Sequence, residues 1–599
     1  MLLRAGVALI LLGCCLAQGW GKRGNNNSTR SPRGKGSRKH NWGDKMNEQQ
    51  IGAFRKSLSH TNVDRFHAAL DKMRERAAER IEPNEQEKAG MYERMKQMRP
   101  HTRTPRVRPD GDTLTEVNEK QGVSQNLYGG DMALDDPQVD VILGDFVEDD
   151  DSTDDDVAAR KKRQAYRNSR YPANLWGSGS ASPMVYYYFD GLTANAQKMA
   201  QLAIDFWQNS TCITFVKSTT NSNRIRFFTG QGCYSYVGMI GGTQDLSLGT
   251  GCDSFGTAAH EIGHALGFFH EQSRLDRDNA ITVNFNNIPS DWVDQFDKET
   301  TSTNFNYGMP YDYGSVMQYG ASSASSNRQA TMVSKVPVYQ DTMGSDKVSF
   351  YDISMMNDHY KCKAKCTSGA TCVNGGFRNS KNCNSCICPE GWGGATCAER
   401  ASGCGAALTA TSTLQQASIT VGSGQQTVQP TWAKCHHMIT APAGNKIEIT
   451  LNTLQYQQCQ EGCIYTGIEV KASLDHRLTG IRYCCSDDVG QKIISEGNIV
   501  PIITYNRYYQ STFTFSYRLV PSSTASTIQL AQFPSAGATY STSTNPNTNG
   551  GGTGGGGTTV TCTDDANCVT WASNGFCTSS TYTAAQKKQY CPNKCNMCS

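Results

Sequence analysis

The chain has 599 residues, too many for one domain and enough for several. Its formal net charge of +3 is near neutral, so no general attraction to nucleic acid follows. Twenty-four cysteines, gathered in short-spaced groups, point to disulfides and an oxidising compartment. Met1 to Ala17 has the form of a secretory signal: Arg4 gives a positive start, Val7 to Leu12 an apolar run, and Cys15 and Ala17 small residues at its end. That run is too short to span a bilayer and no later segment reaches about 18 apolar residues, so a secreted, extracellular protein with no membrane anchor is expected. Removing Cys14 and Cys15 with the signal leaves an even number of cysteines. Residues 18–163 are expected to form a pro-segment. Gly21 to about His40 is basic, glycine-rich and poor in apolar residues, the composition of a disordered stretch, and Asn26 and Asn27 each open a glycosylation sequon. Met46 to Met98 is charged and rich in helix formers without a strong apolar stripe, which predicts loosely packed helices. An acidic run from Glu148 to Asp156 is followed by Arg160, Lys161, Lys162 and Arg163. This reads as a processing site, cut after Arg163 by a furin-like convertase.

From about Gln164 to Cys362 the pattern changes to that of a packed α+β domain. Val185 to Phe189, Ile213 to Val216 and Ile225 to Phe228 are β-prone, and Met199, Ala203 and Phe206 recur at helical spacing between Leu192 and Trp207. Asn209 opens a third sequon, expected on a surface loop. The stretch HEIGHALGFFHEQSRLDRD, His260 to Asp278, carries the chemistry. His260 and His264, four apart, lie one turn apart on one helix face, where one zinc ion reaches both. Glu261 between them holds the position of a general base. Gly267 lets the backbone leave the helix, so that His270 returns as a third ligand. Three histidines leave a fourth position for water, the mark of a catalytic zinc site.

The glycine, the third histidine and the continuation together resemble the astacin metalloproteases, a metzincin family. The resemblance implies one zinc per subunit on His260, His264 and His270, with Glu261 handling the proton. In YDYGSVMQYG, Tyr311 to Gly320, it places Met317 at the Met-turn beneath the metal and makes Tyr319 a movable extra ligand and oxyanion donor; Gln318 stands where a histidine is usual. NLYGGDMAL, Asn126 to Leu134, is similar to the family's pro-motif, with Tyr128 for the usual phenylalanine and Asp131 as the residue that reaches zinc and keeps the zymogen latent. Gly144-Asp145 is the weaker rival. The family would place the sheet's edge strand at Gln244 to Leu248 and pair a freed N-terminus, Gln164 or Ala165, with Glu271. It also implies Cys212–Cys362 and Cys233–Cys252. An arginine that favours acidic residues after the scissile bond normally follows a Met-Gly pair; here Met343-Gly344 precedes Ser345, Asp346 and Lys347, which predicts a weakened preference, with Lys347 a partial substitute where it points inward.

Residues 363–398 resemble an EGF-like module, implying Cys366–Cys383, Cys372–Cys386 and Cys388–Cys397. Residues 404–520 show short β-prone runs separated by turns, which suggests a β-sandwich, and they resemble a CUB domain with Cys404–Cys435 paired. Cys459, Cys463, Cys484 and Cys485 must form two bridges whose pairing stays open. Residues 521–561 are a Ser/Thr/Gly-rich linker. Residues 562–598 resemble a ShKT module, which implies Cys562–Cys598, Cys568–Cys591 and Cys577–Cys595; Ala585 and Gln586 stand where channel-blocking members carry Lys-Tyr.

The expected protein is a secreted zinc endopeptidase made as a zymogen and acting on extracellular proteins of matrix, cuticle or eggshell. The competing expectation is a catalytically silent matrix-binding protein that uses its accessory modules. An intact Glu261 with all three histidines argues for the enzyme.

Overall fold

The computed structural model describes residues 45–148, 165–166, 174–177, 180, 182–300, 303–528, 572, 577, 587, 591 and 593–596. The signal, Asn26, Asn27, Arg163, Gln164, Cys562, Cys568 and Cys598 lie outside these residues. Among the described residues no helix is long and apolar enough to cross a membrane.

Five helices come first: α1 Glu48–Ser57, α2 Val63–Ile81, α3 Glu85–Gln97, α4 Leu114–Gln121 and α5 Asp136–Glu148. Asn47, Asn62, Asn84 and Thr113 cap the first four, each side chain accepting from the N–H three residues on. The expectation of loose packing without an apolar stripe is overturned. Phe66, Ala69, Leu70, Met73 and Ala77 recur at helical spacing along α2 and all are buried. Phe66 to Met73 share a cluster with Tyr128, Met132, Val237 and Phe269. The stripe is hard to read because alanine and methionine carry much of it between arginines and glutamates.

A six-stranded sheet follows. It is built from β1 Met132–Ala133, β3 Met184–Asp190, β4 Thr214–Lys217, β5 Arg224–Phe228, β6 Cys233–Tyr236 and β7 Thr243–Leu248, in the order β1-β6-β7-β5-β3-β4; β2, Ala165–Tyr166, pairs elsewhere. The expected edge at Gln244 to Leu248 is therefore corrected. β7 lies between β5 and antiparallel β6, and β6 is in turn covered by parallel β1 from the N-terminal region. Helix α6, Ala194–Ser210, packs Met199, Ala203 and Trp207 with Val185, Ile225 and Leu246 of the sheet and Ile262 of α7, Phe255–Ala265. Asn209 is exposed in the last turn of α6, not on a loop. Cys212–Cys362 ties the start of β4 to the end of α8, Phe350–His359, and Cys233–Cys252 ties β6 to the turn before α7.

Beyond α8, Cys366–Cys383, Cys372–Cys386 and Cys388–Cys397 staple a small hairpin module. Two long strands, Gln415–Thr440 and Ile499–Pro521, then run antiparallel through irregular register at Gly422 to Ala433. One half of the pair continues to Thr466–Val470 and Ile481–Tyr483, the other to Asn445–Gln455 and Lys492–Ile494. Ile439, Ile468 and Ile502 of the first half meet Ile449, Phe513 and Phe515 of the second in one buried cluster, a sandwich made from bent strands. Its bridges are Cys404–Cys435, Cys459–Cys485 and Cys463–Cys484, which resolves the open pairing. Cys577–Cys595 lies near the C-terminus. The fold is α+β with disulfide-rich appendages.

Candidate active site

Ser254 caps α7 by accepting from Thr257 N–H, and every residue from Phe255 to Ala265 is buried. The helix therefore carries His260, Glu261 and His264 in the molecule's interior. Gly267 then turns the chain at φ 109°, and its missing Cβ leaves room for the His359 ring, with Nε2 only 2.9 Å from where a Cβ would stand. His270 comes back towards the helix: its ring centre lies 5.3 Å from His260 and 4.9 Å from His264.

The tautomers follow from the backbone. His260 Nδ1 lies 2.7 Å from Val316 O, and His264 Nδ1 lies 2.7 Å from Phe268 O. A carbonyl only accepts, so both Nδ1 atoms donate and both Nε2 atoms present lone pairs. Those two Nε2 atoms are 2.9 Å apart. Burial pushes His264 down and His270 down to about 4, against the opposing pull of the Asp131 charge, so these rings are neutral near pH 7. The Asp131 carboxylate sits among the three: 3.0 Å from His260 Nε2, 3.0 Å from His270 Nε2 and 3.4 Å from His264 Nε2. The lone pairs of His260 and His264 and the Asp131 oxygens thus converge on one point, with the His270 Nε2 beside them. One atom from each of the four residues lies within 4.8 Å of the others, and the donor set of three imidazoles and a carboxylate suits zinc.

Glu261 is fully buried beside this cluster, and neither carboxylate oxygen has a hydrogen-bond partner among the described residues. Burial raises its pKa well above the ordinary value, and the Asp131 charge adds to that. Met317 is buried against the inner turn of α7, where a Cβ on Gly263 would approach its sulfur to 2.9 Å. Tyr319 lies beside the histidines, 4.3 Å ring to ring from His270, and its hydroxyl donates to Gly129 O at 3.0 Å.

Asp131 reaches the cluster through a tight turn. Tyr128 and Met132 exchange backbone hydrogen bonds around Gly129 and Gly130, both at positive φ. A side chain at Gly129 would strike His270 Nδ1 at 2.9 Å, so the turn can lie on the ring only as glycine. Tyr128 carries a hydroxyl where phenylalanine is usual, and it donates to Glu299 at 2.6 Å inside the core. Gly144-Asp145 lies in α5, and Asp131 is the carboxylate that joins the histidines among the described residues. Glu271 accepts from Arg274 at 3.2 Å and from Asp312 N–H at 2.8 Å; burial pushes it up to about 8 against the Arg274 charge. Ala165 is buried and bridged to Phe268.

Two features escaped the sequence, and one expectation is corrected. Asp352 accepts from Ser315 Oγ at 2.6 Å and Val316 N–H at 2.9 Å, and so holds the loop that orients His260. Its visible signal is only a helix capping box with Ser349. Asn118 of α4 donates to Cys233 O at 2.7 Å and accepts from Cys233 N–H at 2.8 Å, sealing the edge of β6. Lys347 does not face the cleft. It is buried, with Nζ 3.2 Å from Glu469 and 3.1 Å from Glu390.

Comparison with known proteins decides the family. Residues 168–361 match the model of the Astacin peptidase family, and residues 561–598 match ShK domain-like. Zinc metalloproteinase nas-31 of Caenorhabditis elegans is 48% identical over 477 residues, covering 78% of this chain and 76% of that protein. The chain belongs to the astacin family. Zinc metalloproteinase nas-32 of the same organism is 41% identical over 422 residues, covering 69% of this chain and 61% of that one. Among solved structures, high choriolytic enzyme 1, a hatching enzyme zinc-protease from Oryzias latipes, aligns at 30% identity and TM-score 0.30, over 33% of this chain and 98% of that one. As an astacin, the chain is a zinc metalloendopeptidase whose substrates are proteins.

Proposed function

We propose that this astacin is made as a secreted zymogen, latent through its own N-terminal segment, and that once processed it cleaves structural proteins of extracellular matrix, cuticle or eggshell. The observation that carries the latency is the Asp131 carboxylate, 3.0 to 3.4 Å from all three histidine Nε2 atoms. The layout that goes with it is signal 1–17, pro-segment 18–163, peptidase 164–362, EGF-like 363–398, CUB-like 404–520, linker 521–561 and ShKT 562–598. Disulfides spread over three modules suit an oxidising, extracellular setting.

His260, His264 and His270 would hold the zinc, and the Asp131 carboxylate fills the space among them until processing. A zinc held there would supply Lewis acidity for the attack of water on the scissile carbonyl. Glu261, enclosed and without a hydrogen-bond partner, takes the proton of the attacking water and returns it to the leaving amine. Tyr319, freed from Gly129 O, turns its hydroxyl to the developing oxyanion. Met317 supports the metal-binding turn of α7 from below. Processing must remove more than Asp131, because β1 and Asn118 also cover the strand edge where an extended substrate would pair. The glutamate after the third histidine, Glu271, then offers the new N-terminus a carboxylate already shared with Arg274. The silent-binder reading has no observation in its favour.

The test is an Arg163→Ala precursor treated with furin. It should stay latent while the wild-type precursor gains peptidase activity that Glu261→Ala lacks. Full activity from the uncleaved Arg163→Ala chain would overturn the zymogen reading.

A further inference from the structure

Residues 99–104 form no regular element, yet Arg99, His101, Thr102, Arg103 and Thr104 are all held by hydrogen bonds or ion pairs. They lie where the peptidase meets the CUB-like sandwich. Arg99 donates to Asp487 O at 2.7 Å and Val489 O at 3.0 Å. Thr102 N–H donates to the Asp487 carboxylate at 2.9 Å, and Thr104 N–H to Cys459 O at 3.2 Å. Gln460 returns a side-chain donor to Thr104 O at 2.9 Å. Between these, His101 is clamped: Nδ1 lies 2.8 Å from Asp341 of the peptidase and Nε2 lies 3.0 Å from Asp488 of the sandwich. Both ring nitrogens face carboxylates, so the ring is an imidazolium. Arg103 completes the row, 2.7 Å from Asp341 and 3.9 Å from Glu461.

The wall does not depend on the strap for its shape. The second oxygen of Asp488 accepts from Cys484 N–H and Cys485 N–H, at 3.1 and 2.9 Å. Both cysteines are locked by disulfides to the loop that carries Gln460 and Glu461. Glu461 itself accepts from Ser322 N–H at 3.0 Å, three residues beyond Tyr319. With the strap gone, Asp341, Glu461, Asp487 and Asp488 would face one groove as like charges with no cation between them. Partly buried carboxylates so placed cost free energy, and the ligand that relieves the cost is an extended chain with cations at alternate positions. Main-chain donors at the intervening residues match the Asp487 side chain and the Cys459 carbonyl.

We infer that the junction of the peptidase and CUB-like modules is a peptide-binding groove for an extended basic segment of the form Arg-x-His-x-Arg, and that this chain's own Arg99–Thr104 is its occupant. The groove holds the pro-segment to the enzyme at a point separate from the metal ligands, so a cut after Arg163 leaves the strap bound. This last step rests on the zymogen reading; the groove does not.

Two measurements separate them. In the uncleaved full-length chain, the amides of Thr102 and Thr104 should exchange slowly with solvent, and both should speed up in Asp488→Asn and in His101→Ala. Fast exchange in the wild type would refute the groove whatever the outcome of processing. In furin-processed protein freed of its pro-segment, a fluorescent peptide spanning residues 98–105 should bind saturably. The affinity should drop by more than about tenfold for Asp488→Asn, or for the peptide with alanine at position 101. Combining the two should cost little more than either alone, since both remove one contact. Asp341→Asn, on the opposite wall, keeps the test decisive where Asp488→Asn fails to fold. Binding that ignores all three changes, or no binding, would overturn the assignment. Peptide binding alongside full activity of uncleaved Arg163→Ala would sink the zymogen reading and spare the groove.

Discussion

Among the described residues, two of the buried charged clusters are built on opposite principles. Around α7, Asp131 and Glu261 share a buried interior with His260, His264 and His270, and two of those rings have their only donors committed to backbone carbonyls. Acceptors are in surplus. Where the peptidase meets the β-sandwich, Glu469 lies 3.0 Å from Arg482, 3.2 Å from Lys347 and 3.7 Å from Lys471, while Glu390 meets Lys347 at 3.1 Å and Lys434 at 2.6 Å. There every anion has its cations. Burial would raise Glu469, but Lys347, Arg482 and Lys471 hold it down at about 2. Burial alone therefore does not mark a functional group in this chain. The imbalance of donors and acceptors does, because a folded chain tolerates a surplus of buried acceptors only where a cation belongs.

The contrast can be broken at either cluster. At the first, Glu261→Ala removes a group with no structural partner, so the processed protein should keep its zinc and melt like the wild type. Its kcat should fall by about 10²–10⁴-fold, the contribution of a general acid–base group. Metal content by atomic absorption and steady-state kinetics on a peptide decide this; a wild-type rate would remove Glu261 from the mechanism. At the second, Glu469→Ala strands Arg482 in the interior and leaves Lys347 with Glu390 alone. Loss of one partner from a buried network costs about 3–5 kcal/mol. The melting temperature should fall sharply, while any protein that remains folded should keep its kcat. An unchanged melting temperature would mean that the network contributes nothing.

The same contrast explains what could be read beforehand. His260, His264, Gly267 and His270 were legible because each step from one to the next is local: one helical turn, one break, one return. The strap and its groove were not, because His101 meets Asp341 and Asp488, residues hundreds of positions away that carry no motif. Asp352 shows the same limit, since its capping role is local and its hold on Val316 is not. The edge strand was misplaced for a related reason. β6 and β7 are both short runs, and only the pairing shows that β6 lies outside β7 and is itself covered by β1. Cys484 and Cys485 are an intermediate case. Adjacent residues in extended backbone point to opposite sides, so they must take different partners, but the choice of partner depends on the Gly462-Cys463 turn, both at positive φ.

A smaller effect follows at the strap. His101 has its pKa raised to about 10: burial works against this, but Asp341 from the peptidase and Asp488 from the sandwich outweigh it, with Asp487, Glu461 and Arg103 as the nearby charges. A histidine raised in the folded state contributes stability that is full below its ordinary value of 6.5 and is lost as pH rises through about 10. Exchange at Thr102 and Thr104, corrected for the intrinsic pH dependence of exchange, should thus be flat between about pH 5 and 6.5 and become less protected towards pH 10. Protection that weakened on acidification within that lower range would contradict the imidazolium assignment.

The smallest expected effect is on specificity. The loop after Met343-Gly344 borders a cavity of about 30 Å³ beside His260, lined by Gly256, Thr257, Tyr319, Gly344 and Asp346. A cation projecting there would select acidic residues after the scissile bond, yet Lys347 points the other way. Its Nζ lies over the Tyr505 ring at 4.1 Å and between Glu390 and Glu469. Asp346, the residue that does line the cavity, is paired with Arg507 of the β-sandwich. The loop therefore offers no free positive charge to a substrate. In a peptide library the processed enzyme should show no strong selection for aspartate just after the cleaved bond. Lys347→Met should lower the melting temperature through the junction network and leave the cleavage profile unchanged. An aspartate preference that is present in the wild type and disappears in Lys347→Met would place that side chain in the cleft during catalysis, and the two clusters would then share a residue.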